Sequence, residues 1–178
     1  MKGIVFNEFM VMVEKEFGAE MVELIIEDAK PASGAAYTNV GTYDHAEIVD
    51  LVVALSKRTG ADAPALIKAF GKFLFHSFGG KHGDMIASYS NGFDLLKDIH
   101  GHIHVEVEKL YANAELPHFS TEQKDDTLKM VYTSERKMSD LAEGLIEETM
   151  AHFGHDYSLE KKLVKEDGSV VEFFIKLN

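Results

Sequence analysis

A chain of 178 residues, 46% hydrophobic and 27% charged, has the composition of a soluble globular protein long enough for one substantial core. A net charge of -12 sets it against nucleic acid and anionic membrane surfaces. The absence of cysteine excludes disulfides, thiol catalysis and cysteine-ligated zinc, and no apolar run reaches the roughly 20 residues of a membrane span.

The opening MKGIVFNEF has neither the apolar length nor the cleavage site of a secretory signal, so the cytoplasm is the expected location. From there to about Tyr111 the pattern is helical. Phe6, Phe9, Val13 and Phe17 form one stripe that ends at Gly18, a C-cap residue. AEMVELIIEDAK is a second amphipathic segment, stopped by Pro31. DHAEIVDLVVALSKRTG has Asp44 placed as N-cap and Gly60 as its end. DAPALIKAFGKFLFHSF comes next, with Pro64 in the first turn, Gly79-Gly80 after the last, and an interior rich in phenylalanine at 70, 73, 75 and 78. NGFDLLKDIHGHIHVEVEKLY reads as one further helix.

After Pro117 the period changes. TLKMVYTSE alternates as a strand, RKMSDLAEGLIEETMAHFG returns to helix, and KKLVKEDGSVVEFFIKLN reads as two strands joined at Asp167-Gly168. There are no repeats or linkers. The expected class is α+β, a single unit over residues 1–178 with a helical front and a small antiparallel sheet carrying one packed helix.

Three histidines, His100, His102 and His104, alternate in a stretch that reads as helix, where one face recurs every three or four residues. Phe93, Leu96, Ile103, Val107 and Leu110 make the apolar stripe, with His100 and His104 at its border. His102 shares its side with Asp98, Glu106 and Lys109, a solvent face. Three readings of the bordering pair stand open. They are hydrogen-bonded core histidines; or His100, His104 and Glu108 ligate zinc or non-haem iron; or one histidine is axial to a haem whose apolar slot is walled by the phenylalanine-rich helix.

YTSER places Tyr132, Ser134 and Arg136 on one side of an extended chain. A guanidinium fork with two hydroxyl donors is a receptor for carboxylates, which haem carries as propionates.

With these features together, the chain resembles the H-NOX family, the haem-nitric oxide/oxygen binding domains related to the haem domain of soluble guanylate cyclase. The resemblance runs through the start MKGIVFN, the AFGKFLF helix, the histidine helix, the Tyr-x-Ser-x-Arg motif and the closing sheet. It implies a haem b between the helical front and the sheet. It further implies His104 as the axial iron ligand, thirteen positions before Pro117, and Pro117 as a porphyrin contact. Tyr132, Ser134 and Arg136 would hold the propionates.

Oxygen-binding members carry a distal tyrosine nine residues after the motif tyrosine, which here is Leu141. Their supporting tryptophan and asparagine fall at Phe9 and Leu74. With Phe78, these residues make an expected distal pocket with no donor. The resemblance therefore implies a non-catalytic sensor that binds nitric oxide, and also carbon monoxide, while excluding oxygen. Rupture of the Fe–His104 bond would carry the signal to a histidine kinase or a cyclic-di-GMP enzyme.

Overall fold

The computed structural model describes residues 1–81 and 83–178. Helices α1 (Gly3–Phe17), α2 (Ala19–Ala29), α3 (His45–Thr59) and α4 (Ala63–Lys81) are succeeded by the short α5 (Gly83–Ala87) and α6 (Gly92–Asp98). A π-turn over Ile99–Ile103 leads into α7 (His104–Leu110). Strands β1 (His118–Lys124) and β2 (Thr127–Thr133), helix α8 (Ser139–His152), and strands β3 (Tyr157–Leu163) and β4 (Val170–Leu177) complete the chain. The sheet is antiparallel in the order β1-β2-β4-β3. No helix among the described residues is long and apolar enough to cross a membrane.

Local chemistry accounts for the helix ends. Asp44 accepts a hydrogen bond from the Ala46 amide at 2.9 Å and starts α3, and Gly60, in the left-handed region, ends it. Lys30 rather than Pro31 caps α2, with its own φ at 48°. On α1, Phe6, Phe9 and Val13 are buried as the stripe requires, whereas Phe17 at the helix end is 40% exposed.

Two expected boundaries move. The Gly79-Gly80 pair does not terminate α4, which continues to Lys81. A Cβ on Gly79 would press on the Ile86 side chain at 3.0 Å, so this glycine serves a close approach of α5. Strand β1 lacks the alternation that marks a strand, because it is a sheet edge on which Phe119 is the one buried side chain. The β3–β4 hairpin is present but wider than a two-residue turn: residues 164–169 connect it, and Gly168 sits at φ 77°.

Two buried clusters result. One joins α1 to α4 through Phe6, Phe9, Ile25, Leu51, Leu55 and Phe70. The other lies on one sheet face, where Leu128, Met130 and Tyr132 of β2 and Val171, Phe173 and Ile175 of β4 meet Ala142, Ile146 and Met150 of α8. Residues between these on the two strands point outward, as the ion pair of Lys129 and Glu172 at 2.8 Å illustrates.

The two clusters meet where α4 crosses α8, and two glycines make the crossing possible. A Cβ on Gly144 would collide with the Lys68 carbonyl, and one on Gly71 with the Leu141 carbonyl. Around the crossing, Lys68 bridges Glu143 at 2.8 Å and Glu147 at 2.9 Å. Gly144→Ala should force the helices apart at a cost of roughly 1–3 kcal/mol. For a chain of this size that lowers the Tm by about 2–4 °C per kcal/mol. Gly80→Ala, with open space at its Cβ, should leave the melting temperature equal or higher, so thermal unfolding of the two variants separates packing from helix propensity.

Candidate functional site

Between the two clusters lies a cavity of about 310 Å3. Its helical wall comes from α1 (Ile4, Val5), α4 (Leu74, Phe75, Phe78) and α8 (Leu141, Leu145). The facing side carries Ile103, His104 and Val107, and the sheet contributes Phe119 and Tyr132.

His104 is the chemically unusual group in this lining. Its Nδ1 is, among the described residues, the one buried side-chain nitrogen or oxygen without a hydrogen-bond partner. Burial, and secondarily the charge of His100, lowers its pKa to about 4. The ring therefore stays neutral near pH 7 and keeps a lone pair, which is the protonation state that a metal-ligating imidazole needs. The Phe119 ring lies 6.0 Å from it by centroid.

Of the other two histidines, His100 is exposed and its ring meets that of His118 at a tilt of 60°, 4.5 Å between centroids. His102 is half-exposed and bonded to Tyr89 at 2.9 Å, so it is a surface residue with partners of its own. The reading of His100, His104 and Glu108 as a zinc or non-haem iron site is not supported. His100 and Glu108 are exposed, and no group of three His, Asp or Glu side chains converges among the described residues.

Tyr132, Ser134 and Arg136 all line the cavity, but extended alternation is not what gathers them. Strand β2 ends at Thr133, and the chain then turns, with Lys137 at φ 55° and its amide bonded to the Ser134 carbonyl at 3.3 Å. The Arg136 amide donates to Ser134 Oγ at 3.2 Å, and the Met138 amide donates to the Tyr132 hydroxyl oxygen at 3.0 Å. Because that oxygen accepts from the backbone, the phenolic proton remains available to an acceptor. The Arg136 guanidinium grips Glu115 twice, at its carbonyl oxygen and at Oε2, the latter at 2.8 Å. Glu115 is 84% exposed, so the cation meets a carboxylate at the cavity rim.

Pro117 lines the same cavity immediately before β1. Leu74, Phe78 and Leu141 lie together on the helical wall. Phe9 does not line the cavity; it belongs to the first cluster, where its ring meets Phe70 edge-on at 5.3 Å. Thr149 adds a hydroxyl to the lining, but its proton is given to the Leu145 carbonyl at 2.7 Å.

Sequence reasoning missed the π-turn before His104 and the role of Glu115 as partner of Arg136. The available signals were weak: Gly101 inside the turn, and a lone carboxylate in an irregular loop.

These features suit a flat, largely apolar group with acidic edges and a metal centre: an apolar slot, an unpartnered neutral imidazole, and a cation with hydroxyl donors at the rim. Comparison with known proteins agrees. A family model described as Haem-NO-binding matches residues 2–161. A point variant of the Fe(II) unliganded H-NOX protein from K. algicida is 38% identical and superimposes with a TM-score of 0.94, over 100% of this chain and 97% of that one. The IWP-051-bound H-NOX from Shewanella woodyi, in the Fe(II)CO state, is 35% identical with a TM-score of 0.83, over 99% and 94% of the two chains. An H-NOX protein from S. oneidensis in the Fe(II)NO state is 28% identical with a TM-score of 0.91, over 100% and 99%. The chain thus belongs to the haem-NO-binding family, the H-NOX domains.

Proposed function

We propose that residues 1–178 act as one non-catalytic unit, a haem-based sensor that takes nitric oxide, excludes oxygen and reports to a separate signalling enzyme. The observation that carries this reading is the neutral His104 imidazole lining a cavity whose opposite wall is mostly hydrocarbon. Haem b, when bound, supplies a ferrous iron with one position for His104 and one for a gas. The haem is held without covalent links to cysteine, since the chain has none.

Each part of the site has a distinct task. His104 offers its lone pair, and its lowered proton affinity means that protons do not compete until the pH falls toward about 4. Arg136, Ser134 and Tyr132 take the propionates, with Arg136 exchanging or sharing its Glu115 carboxylate. Pro117, which lines the cavity with Phe119, would contact the porphyrin.

On the helical wall, Leu74, Phe78 and Leu141 offer no donor, and the Thr149 proton is already committed. Oxygen binding leans on a hydrogen bond to a negatively charged outer atom, worth about 1.5–3 kcal/mol. Its loss lowers affinity by roughly one to two orders of magnitude. Nitric oxide needs no such bond. With haem bound, release of His104 would free α7, and a histidine kinase or a cyclic-di-GMP enzyme would read the shift. Relatives of this chain are described in Fe(II)NO and Fe(II)CO states, which accords with both gases as ligands.

Three outcomes test the proposal. His104→Ala should lose haem on gel filtration and regain it when imidazole is supplied; full retention without imidazole would place the ligand elsewhere. Reduced wild type in air should give no stable oxygen complex, while Leu141→Tyr should gain one in part, read as a persistent change in the Soret band. Nitric oxide should abolish the Fe–imidazole vibration and change the activity of the cognate enzyme, with carbon monoxide doing so weakly. If carbon monoxide regulates as strongly as nitric oxide, rupture at His104 is not the switch.

A further inference from the structure

The segment that presents His104 is a π-turn, and a side-chain network on the far side of the helix holds it. In the turn the His104 amide donates to the Ile99 carbonyl, five residues back, where an α-helix would use His100. Leu95, Leu96 and Ile99, just before it, line the cavity and mark the inward face.

Helical geometry shows what the extra residue does. At ~100° per residue, an unbroken α-helix would put His104 about 130° from the centre of that face and His102 only about 65° from it. The wider turn takes up one more residue and rotates the next stretch of helix back by about 100°. His104 then lies about 30° from the centre of the inward face, while His102 swings toward solvent. The structure matches: His104 lines the cavity, and His102 is half-exposed. So the turn carries His104 from the border of the apolar stripe, where a straight helix leaves it, toward the centre of the face set by Leu95, Leu96 and Ile99.

What holds the turn is local and polar. Tyr89 donates its hydroxyl proton to Asp98 Oδ2 at 2.7 Å. His102 Nδ1 lies 2.9 Å from the same phenolic oxygen and 3.4 Å from Asp98 Oδ2. With the phenolic proton given to Asp98, Nδ1–H of His102 is the donor to Tyr89. Burial and the Asp98 carboxylate push the Tyr89 pKa up to about 12, so it remains a donor. Asp98 is the last residue of α6, with a backbone already off helical values at φ -95° and ψ 2°, and His102 is inside the turn. The network therefore spans the inserted residue. Gly101, between them, weakens the competing α-helix.

We propose that Tyr89, Asp98 and His102 form a register latch that holds the π-turn and thereby presents His104, rather than His102, to the cavity. They are positioning residues: none of the three lines the cavity. The inference rests on reading His104 as the iron ligand.

The test uses the full chain, haem-loaded and reduced, with Tyr89→Phe, His102→Ala, His102→Asn and, as control, Lys109→Ala, which breaks the exposed Glu106–Lys109 pair on α7. Two readouts are measured: hydrogen exchange of the peptide 99–104 against one from α3, and the Fe–imidazole stretching band. Tyr89→Phe and His102→Ala should each speed exchange of 99–104 by about tenfold, the factor given by one net hydrogen bond near the top of its usual range. Exchange in α3 should not move, and the stretching band should shift or split. His102→Asn, whose amide nitrogen can stand where Nδ1 stood, should restore both, and Lys109→Ala should change neither. Unchanged exchange and an unchanged band in both latch variants would overturn the latch, as would equal acceleration in α3. If wild type shows no Fe–imidazole band that His104→Ala removes, the haem reading fails instead, and the exchange data still decide the latch.

Discussion

Taking a histidine nitrogen out of water without a hydrogen-bond partner costs on the order of 1–3 kcal/mol, and the fold imposes that cost at His104. The imidazole is lodged between two apolar clusters, where its pKa falls to about 4 and no described side chain offers it a bond. The same ring lines the cavity, so a metal held there would meet an imidazole that burial keeps neutral.

The rest of the architecture serves that placement. A single cluster would close over the ring and leave no slot. Here the helical cluster and the sheet cluster are kept apart along one line and joined at the α4–α8 crossing, where Gly71 and Gly144 let backbones touch. The cavity opens beside that crossing, so its hydrocarbon wall and its polar rim come from different parts of the chain. Leu74 and Leu141 belong to α4 and α8, whereas Tyr132, Ser134 and Arg136 come from β2 and the turn after it. On the proposed reading, gas discrimination and cofactor retention would in that way be carried by separate residues.

Much of this was legible in the sequence where a local signal and the tertiary outcome coincide. Asp44 and Gly60 bound α3 because capping is local chemistry, and Leu128, Met130 and Tyr132 alternate because β2 is central and buried on one face. Strand β1 was not legible, since an edge strand with one buried side chain has no period to read. Arg136 was legible as a carboxylate receptor, but its partner Glu115 and the turn that brings it to Ser134 were not. The π-turn was hidden for a particular reason. Ile99, Ile103 and Val107 are apolar in either register, so the hydrophobic pattern fits both an unbroken helix and one with an inserted residue. The side-chain partners of His102 distinguish the two, and besides Asp98 they include Tyr89, thirteen residues away.

That ambiguity bears on how a signal could leave the site. A ligand shifts a two-state protein only by its different affinity for the two states. The helical wall offers a diatomic gas hydrocarbon and one hydroxyl whose proton is already committed, so contacts with the gas would supply little difference. On the proposed reading the difference would lie in a bond that one state has and the other lacks, and among the described residues lining the cavity His104 is the one histidine placed to make it. The first backbone to feel such a release would be the π-turn, whose closing hydrogen bond is made by the His104 amide itself. A segment whose apolar pattern is satisfied in two registers costs little to rearrange, and its outer face, with His102, Glu106 and Lys109, is exposed or half-exposed. The element that carries His104 is therefore also one that a partner could reach.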